Sequence, residues 1–171
     1  GRVNNLDGTQ DKRNAGSVQF SYLSTDAAGE NTLKWVNKIE LRLDDGAEDT
    51  RQHLIQSLLE GKVNKDWTVF TKIDWSESTN TTTGVVSAQY KEFSLGAAFR
   101  PVEHDRLNML AKYSFIEDDA PVSQLDTADI LHERFQVVAL EAVYDLTHRW
   151  QVAQKFAYKW GLERVAGFES T

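Results

Sequence analysis

The sequence predicts an all-β fold of eight antiparallel strands that run up and down in chain order. Three observations support this prediction: a ten-residue segment occurs four times, bulky residues alternate with others inside it, and polar turns separate the strands. Bulk at every second position gives a strand two different faces, whereas a helix would not keep that alternation over ten residues. We therefore expect a two-faced β-sheet.

The repeat defines the outgoing strand of each of four hairpins. It comprises residues 32–41, 66–75, 106–115 and 149–158. Its second, eighth and tenth positions are bulky, and its seventh position is lysine in all four copies: Lys38, Lys72, Lys112 and Lys155. Successive side chains of a strand point to opposite faces. Because the lysines occupy an odd position and the bulky residues even positions, we expect the lysines on one face of the sheet and the bulky residues on the other.

A further strand is predicted before each repeat segment, at residues 18–22, 57–63, 94–99 and 139–144. The first of these alternates cleanly. Helical spacing is also present in two places, at Leu54, Ile55, Leu58 and Leu59 and at Leu131, Phe135, Val138 and Ala142. The repeat favours strands at both places.

The predicted connections fall into two length classes. Residues 25–31, 64–66, 100–105 and 145–148 are predicted to be short turns, and residues 44–50, 76–87 and 117–132 longer polar loops. Short turns at one end and long loops at the other are typical of an outer-membrane β-barrel. On this organisation, residues 1–15 are an extracellular loop or linker, residues 16–161 are barrel strands, and residues 162–171 are a loop or the start of a further strand.

Alternation alone leaves open whether the bulky face contacts lipid or a soluble core. Its aromatic residues cluster at two levels, Trp67 and Trp150 near the short turns and Trp75, Phe115 and Tyr158 eight residues on. Eight steps of about 3.3 Å, tilted by about 40°, rise about 20 Å, close to the apolar band of about 25 Å between aromatic girdles. These levels favour lipid, with the aromatic residues at its interfaces. Asn37 and Gln154, on the same face, argue against it.

The opposite face carries charges of both signs. The charges predicted to face a lumen are Lys38, Lys72, Lys112, Lys155, Glu60, Glu141 and Asp74. The lysines either form an electrostatic filter or neutralise acids on neighbouring strands, and a plain solvated surface would have the same composition. Glu60 with Lys72 and Glu141 with Lys155 are expected to be diagonal neighbours.

Composition excludes several classes of function. With 19 Lys and Arg against 26 Asp and Glu, the net charge of −7 argues against nucleic acid as a partner. The absence of cysteine excludes disulfides, thiolate metal sites and cysteine nucleophiles. No apolar run reaches the roughly 18 residues of a transmembrane helix.

No residue pattern predicts catalysis or a cofactor. Asp49 with His53 and Asp129 with His132 lie near loops and could form oriented general bases, but no nucleophile accompanies them. The acidic loops 44–49 and 117–119 lack the alternating ligand spacing of a calcium loop, so no metal site is predicted. The sequence therefore predicts a protein that is not an enzyme.

Residues 94–102, 105–113 and 140–150 carry a family resemblance. They resemble the outer-membrane β-barrel regions of large Gram-negative surface proteins that contain extracellular repeat domains, and the resemblance spans about residues 16–161. It implies a membrane anchor or pore in the bacterial outer membrane. The implied partners are outer-membrane lipid, lipopolysaccharide and further strands or domains of a longer chain, and no catalytic residues are implied.

Two other functions remain open on the sequence alone, a soluble β-barrel binding module with an apolar interior and a hydrolase active at the barrel rim. We also expect these strands to be part of a larger barrel, because the tail from residue 161 is polar. A continuous ladder between residues 18–23 and 152–160 would instead indicate closure within the chain.

Overall fold

Every regular element of the structure is a β-strand in the part of the chain that is described. The structure is a computed structural model that describes residues 2–4, 10–45, 49–103, 106–123 and 126–165. The strands are β1 (Arg2–Asn4), β2 (Gln10–Thr25), β3 (Asn31–Asp45), β4 (Thr50–Lys62), β5 (Trp67–Asn80), β6 (Val86–Phe99), β7 (Leu107–Ser123), β8 (Asp126–Thr147) and β9 (Trp150–Val165). A helix that could cross a membrane is absent from these residues.

All nine strands form one antiparallel sheet in chain order, each paired with the next. The predicted all-β, up-and-down architecture with eight long strands is confirmed, including residues 54–59 and 131–142, where the spacing also fitted a helix. The sheet is open. Within the described residues β2 pairs with β1 and β3 but not with β9, so the sheet does not close into a barrel.

Side-chain oxygens shape the connections between strands. The Asn64 carboxamide oxygen accepts hydrogen bonds from the backbone N–H groups of Asp66 and Trp67, both at 2.9 Å. Asp26 makes the equivalent bonds between β2 and β3, where Gly29 has φ 82°, a conformation that favours glycine. These local bonds replace the pairing that the chain loses where it reverses.

The predicted long loops are wrong in extent. β7 and β8 continue through most of residues 117–132, with Ala120 opposite Leu131 and Pro121 opposite Ile130. β5 likewise continues to Asn80 before its turn. A hairpin that projects into solvent can be polar on both faces and still keep its backbone pairing, so polarity was a poor guide to where strands end.

The boundaries at the two ends of the sheet also differ from those expected. β2 begins at Gln10, inside the segment predicted as a loop or linker, and β9 continues to Val165. Backbone pairing with β3 extends β2 toward its N-terminus, as far as Lys12 opposite Asp45. Residues 166–171 lie outside the described part of the chain.

A glycine allows an aromatic ring to lie against the sheet. Gly96 of β6 is directly opposite Phe70 of β5. A Cβ added at Gly96 would overlap the Phe70 ring and would lie 2.9 Å from the backbone oxygen of Ala111. A ring that packs over a glycine in this way covers backbone that would otherwise be exposed and permits the sheet to bend.

We expect Gly96→Val to lower the stability of the sheet by about 1–3 kcal/mol, because the added carbons must displace the Phe70 ring and the Ala111 carbonyl. The change is measured as the shift in a chemical denaturation midpoint. Gly16→Val is the matched control, since a Cβ at Gly16 meets nothing within 4 Å. Equal midpoints for the two variants would contradict the packing role of Gly96.

Candidate functional site

The strand register sorts the side chains into two sets, which we name the polar face and the apolar face. Directly opposed residues of an antiparallel pair share a face. Lys72 lies opposite Ser94, and Ser94 lies opposite Ser114, so these three share the polar face. The register also places on this face all of the charges predicted for a lumen, namely Lys38, Lys72, Asp74, Lys112, Lys155, Glu60 and Glu141.

The aromatic residues predicted for the interfaces with lipid share the apolar face. These are Trp67, Trp75, Phe115, Trp150 and Tyr158. Some of them contact other rings: Trp67 lies 4.7 Å from Phe99 between ring centroids, and Tyr158 stacks on Trp160 at 5.5 Å. The sheet thus brings the two predicted residue sets onto opposite sides, whatever each side contacts.

The Glu92 carboxylate is the centre of the polar face. It accepts hydrogen bonds from Lys72 Nζ at 2.9 Å, from the Tyr90 hydroxyl at 3.0 Å and from Ser94 Oγ at 2.6 Å. Lys112 Nζ approaches it at 3.5 Å. Glu92 is buried, and charge-assisted hydrogen bonds of this kind offset the cost of removing a carboxylate from water.

Two serines extend this cluster across three strands. Ser94 is fully buried, and its Oγ lies 2.8 Å from the Oγ of Ser114. Ser114 is buried as well. Hydroxyls suit this position because each can donate and accept within a small volume. The result is a hydrogen-bonded chain from β5 through β6 to β7.

The two expected diagonal pairs have different outcomes. Glu60 lies opposite Phe70 and is therefore diagonal to Lys72, as expected, although the ion pairs described for Lys72 are with Asp74 at 2.6 Å and with Glu92. Glu92 lies opposite Asp74, so it is diagonal to Lys72 as well. Glu141 and Lys155 are not diagonal but directly opposite each other, and their side chains form an ion pair at 3.1 Å.

The roles of Glu92, Tyr90, Ser94 and Ser114 were not foreseen from the sequence. Serine and tyrosine are ordinary strand residues, and only the register of β5, β6 and β7 brings them to one point. One feature of the sequence points to part of this cluster. Once the turn between β5 and β6 is known, the position of Glu92 along its strand places it on the same face as the aligned lysines.

Polar groups on the apolar face mostly bond to each other. The Tyr113 hydroxyl donates to Gln136 at 2.8 Å, and Trp35 Nε1 donates to Ser57 Oγ at 3.1 Å. The buried side-chain nitrogen of Asn37, on the same face, has no hydrogen-bond partner among the described residues. Internal pairing lowers the cost of placing polar groups in an apolar environment.

Charges reappear on the apolar face from the row of Trp75 onward, since Trp75 lies directly opposite Lys91. Glu117 lies between Arg134 at 2.5 Å and Lys91 at 3.5 Å, and His132 Nδ1 lies 2.8 Å from Asp119. Sequence reasoning paired His132 with Asp129 instead, whose side chain lies outside the described residues. Burial raises the pKa of the Asp118 carboxyl on this hairpin, and the nearby Glu133 and Asp119 carboxylates raise that pKa further.

A metal site is not found among the described residues. No group of at least three His, Asp or Glu side chains there is placed to bind an ion. The Asp119–His132 pair could orient a base, and it lies in an open, mostly charged cavity that Lys91, Glu117 and Arg134 also line. Comparisons with protein-family models, with curated proteins and with solved structures give no match.

Proposed function

We propose that this sheet is part of the wall of a bacterial outer-membrane β-barrel, which acts as a membrane anchor or pore of a surface protein and not as an enzyme. The single observation that carries the proposal is an inverted distribution of burial. In the described part of the chain no large hydrophobic side chain is buried, whereas Asn37, Glu40, Glu92, Ser94 and Ser114 are.

The apolar face is too large to be left in water. Exposed residues on it include Val18, Phe20, Tyr22, Ile39, Ile73, Phe93, Leu95, Leu140, Phe156 and Tyr158. Covering each such side chain is worth about 1.5–3 kcal/mol, and continuous exposed patches above a few hundred Å² usually mark a membrane or a protein interface. A lipid surface is the cover that suits a face continuous over eight strands.

The distribution of side chains also favours lipid over a soluble barrel with an apolar interior. Four of the five buried residues and the Phe70–Gly96 contact lie on the polar face, while the large side chains of the apolar face are exposed. Crowding is expected on the inner side of a curved sheet and spreading on its outer side. A soluble barrel would need the opposite arrangement.

The open edges of the sheet must be paired if the sheet lies in a membrane. β2 and β9 each have one long edge that is unpaired over most of its length in the described residues. Unpaired backbone groups are not tolerated in lipid. In the membrane these edges must therefore pair, either with each other or with further strands.

Tryptophan fluorescence tests the proposal, because all five tryptophans lie on the apolar face: Trp35, Trp67, Trp75, Trp150 and Trp160. We expect brominated lipids to quench this fluorescence after reconstitution into vesicles. As a matched control, Thr68→Trp in a tryptophan-free variant places the probe on the polar face, where quenching should be weak. A protein that stays monodisperse without detergent and is not quenched would contradict the proposal.

Arginine substitution should separate the two faces energetically. Arg at Val69 or Ala111, in the middle of the apolar face, is expected to cost about 2–4 kcal/mol in a lipid bilayer. Arg at Thr68 should cost much less, since its side chain is on the polar face and partly exposed. Reversible unfolding from vesicles measures both values, and equal costs would refute lipid contact on one face only.

A further inference from the structure

The ion pairs of the polar face are unequal in exposure. The side chain of Lys72 is 37% exposed, whereas those of its partners Asp74 and Glu92 are 12% and 8% exposed. Lys38 is 33% exposed against 9% for Glu40, and Lys155 is 74% exposed against 37% for Glu141. In each ion pair between two strand residues described on this face, the cation is the more exposed member.

Side-chain length and the hydrogen bonds of the wall explain the difference. Glu92 is held close to the backbone by Ser94 and Tyr90, which belong to its own strand. The lysines reach these carboxylates over long stems that leave the ammonium groups at the outer limit of the cluster. Within these ion pairs the acids therefore lie beneath the cations, and the part of each pair that meets solution is positive.

These exposed cations contrast with the overall charge of the chain, which is −7. Beyond the row of Trp75, Glu77 and Asp119 lie on the apolar face, whereas Asp118 and Glu133 lie on the polar face, in the same row as the tyrosine that donates to Glu92. Lys159 adds a further cation to the polar face, 3.7 Å above the ring of Phe135. The exposed Glu141 is matched by the more exposed Lys155.

We propose that the polar face selects small anions, such as chloride, phosphate or carboxylates, over cations. This inference rests on the proposed function, because it requires the polar face to line an aqueous lumen. Exposed lysines along a pore wall raise the local concentration of anions and lower their barrier to passage. The mostly buried carboxylates of Glu40, Asp74 and Glu92 are each paired with at least one cation, so they contribute little to that field.

The test is the reversal potential of the reconstituted protein in a planar bilayer under a KCl gradient. We expect the potential to move toward the chloride equilibrium value, with chloride about twofold or more as permeant as potassium. A reversal potential at zero or toward the potassium value would overturn the inference.

Lysine variants identify the residues responsible. Lys112→Gln leaves the Lys72–Glu92 contact in place, and Lys155→Gln removes the most exposed ammonium of the ion pairs, so both should fold and both should reduce the preference for chloride. Lys91→Gln is the matched control, because Lys91 lies on the other side of the sheet and should leave selectivity unchanged. Selectivity that is equal in all variants would also overturn the inference.

The outcomes separate this inference from the proposed function. A chain that enters bilayers but conducts no ions would refute the anion pathway and leave the membrane anchor intact. A chain that does not enter bilayers would refute the proposed function itself.

Discussion

The antiparallel backbone ladder is the constraint on which the rest of the structure depends. β5 and β6 pair from Trp67–Phe99 to Ser78–Ala88 without a shift, and the other long strands pair with their neighbours over similar lengths. A slip of one residue would move every side chain of a strand to the opposite face. The register therefore carries Lys72, Asp74 and Glu92 to one side together.

This register produces an inverted protein, with its polar groups packed and its apolar groups exposed. Packing on the polar face is made by charge-assisted bonds to Glu92 and by the Ser94–Ser114 contact, which need good geometry to offset desolvation. The apolar face is held by ring contacts such as Trp67–Phe99 and by a few hydrogen bonds such as Tyr113–Gln136.

The sequence predicted the strands and their two faces because alternation is local and the repeat supplied four examples of it. Hairpin lengths were predicted poorly, since most of residues 117–132 belong to paired strands although the segment is rich in polar residues. The Glu92 cluster was beyond sequence reasoning, because it depends on the register between hairpins rather than on spacing within a strand. Parity decides which face a residue lies on, but only the register decides which residues meet.

The most direct measurement of the central claim is a cysteine scan along β5, from Thr68 to Asp74, in protein reconstituted in lipid vesicles. Each single-cysteine variant is treated with a water-soluble maleimide that does not cross lipid. We expect labelling that alternates with every residue, strong at the polar-face positions 68, 70, 72 and 74 and weak at positions 69, 71 and 73. Uniform labelling, or alternation of the opposite phase, would contradict this expectation.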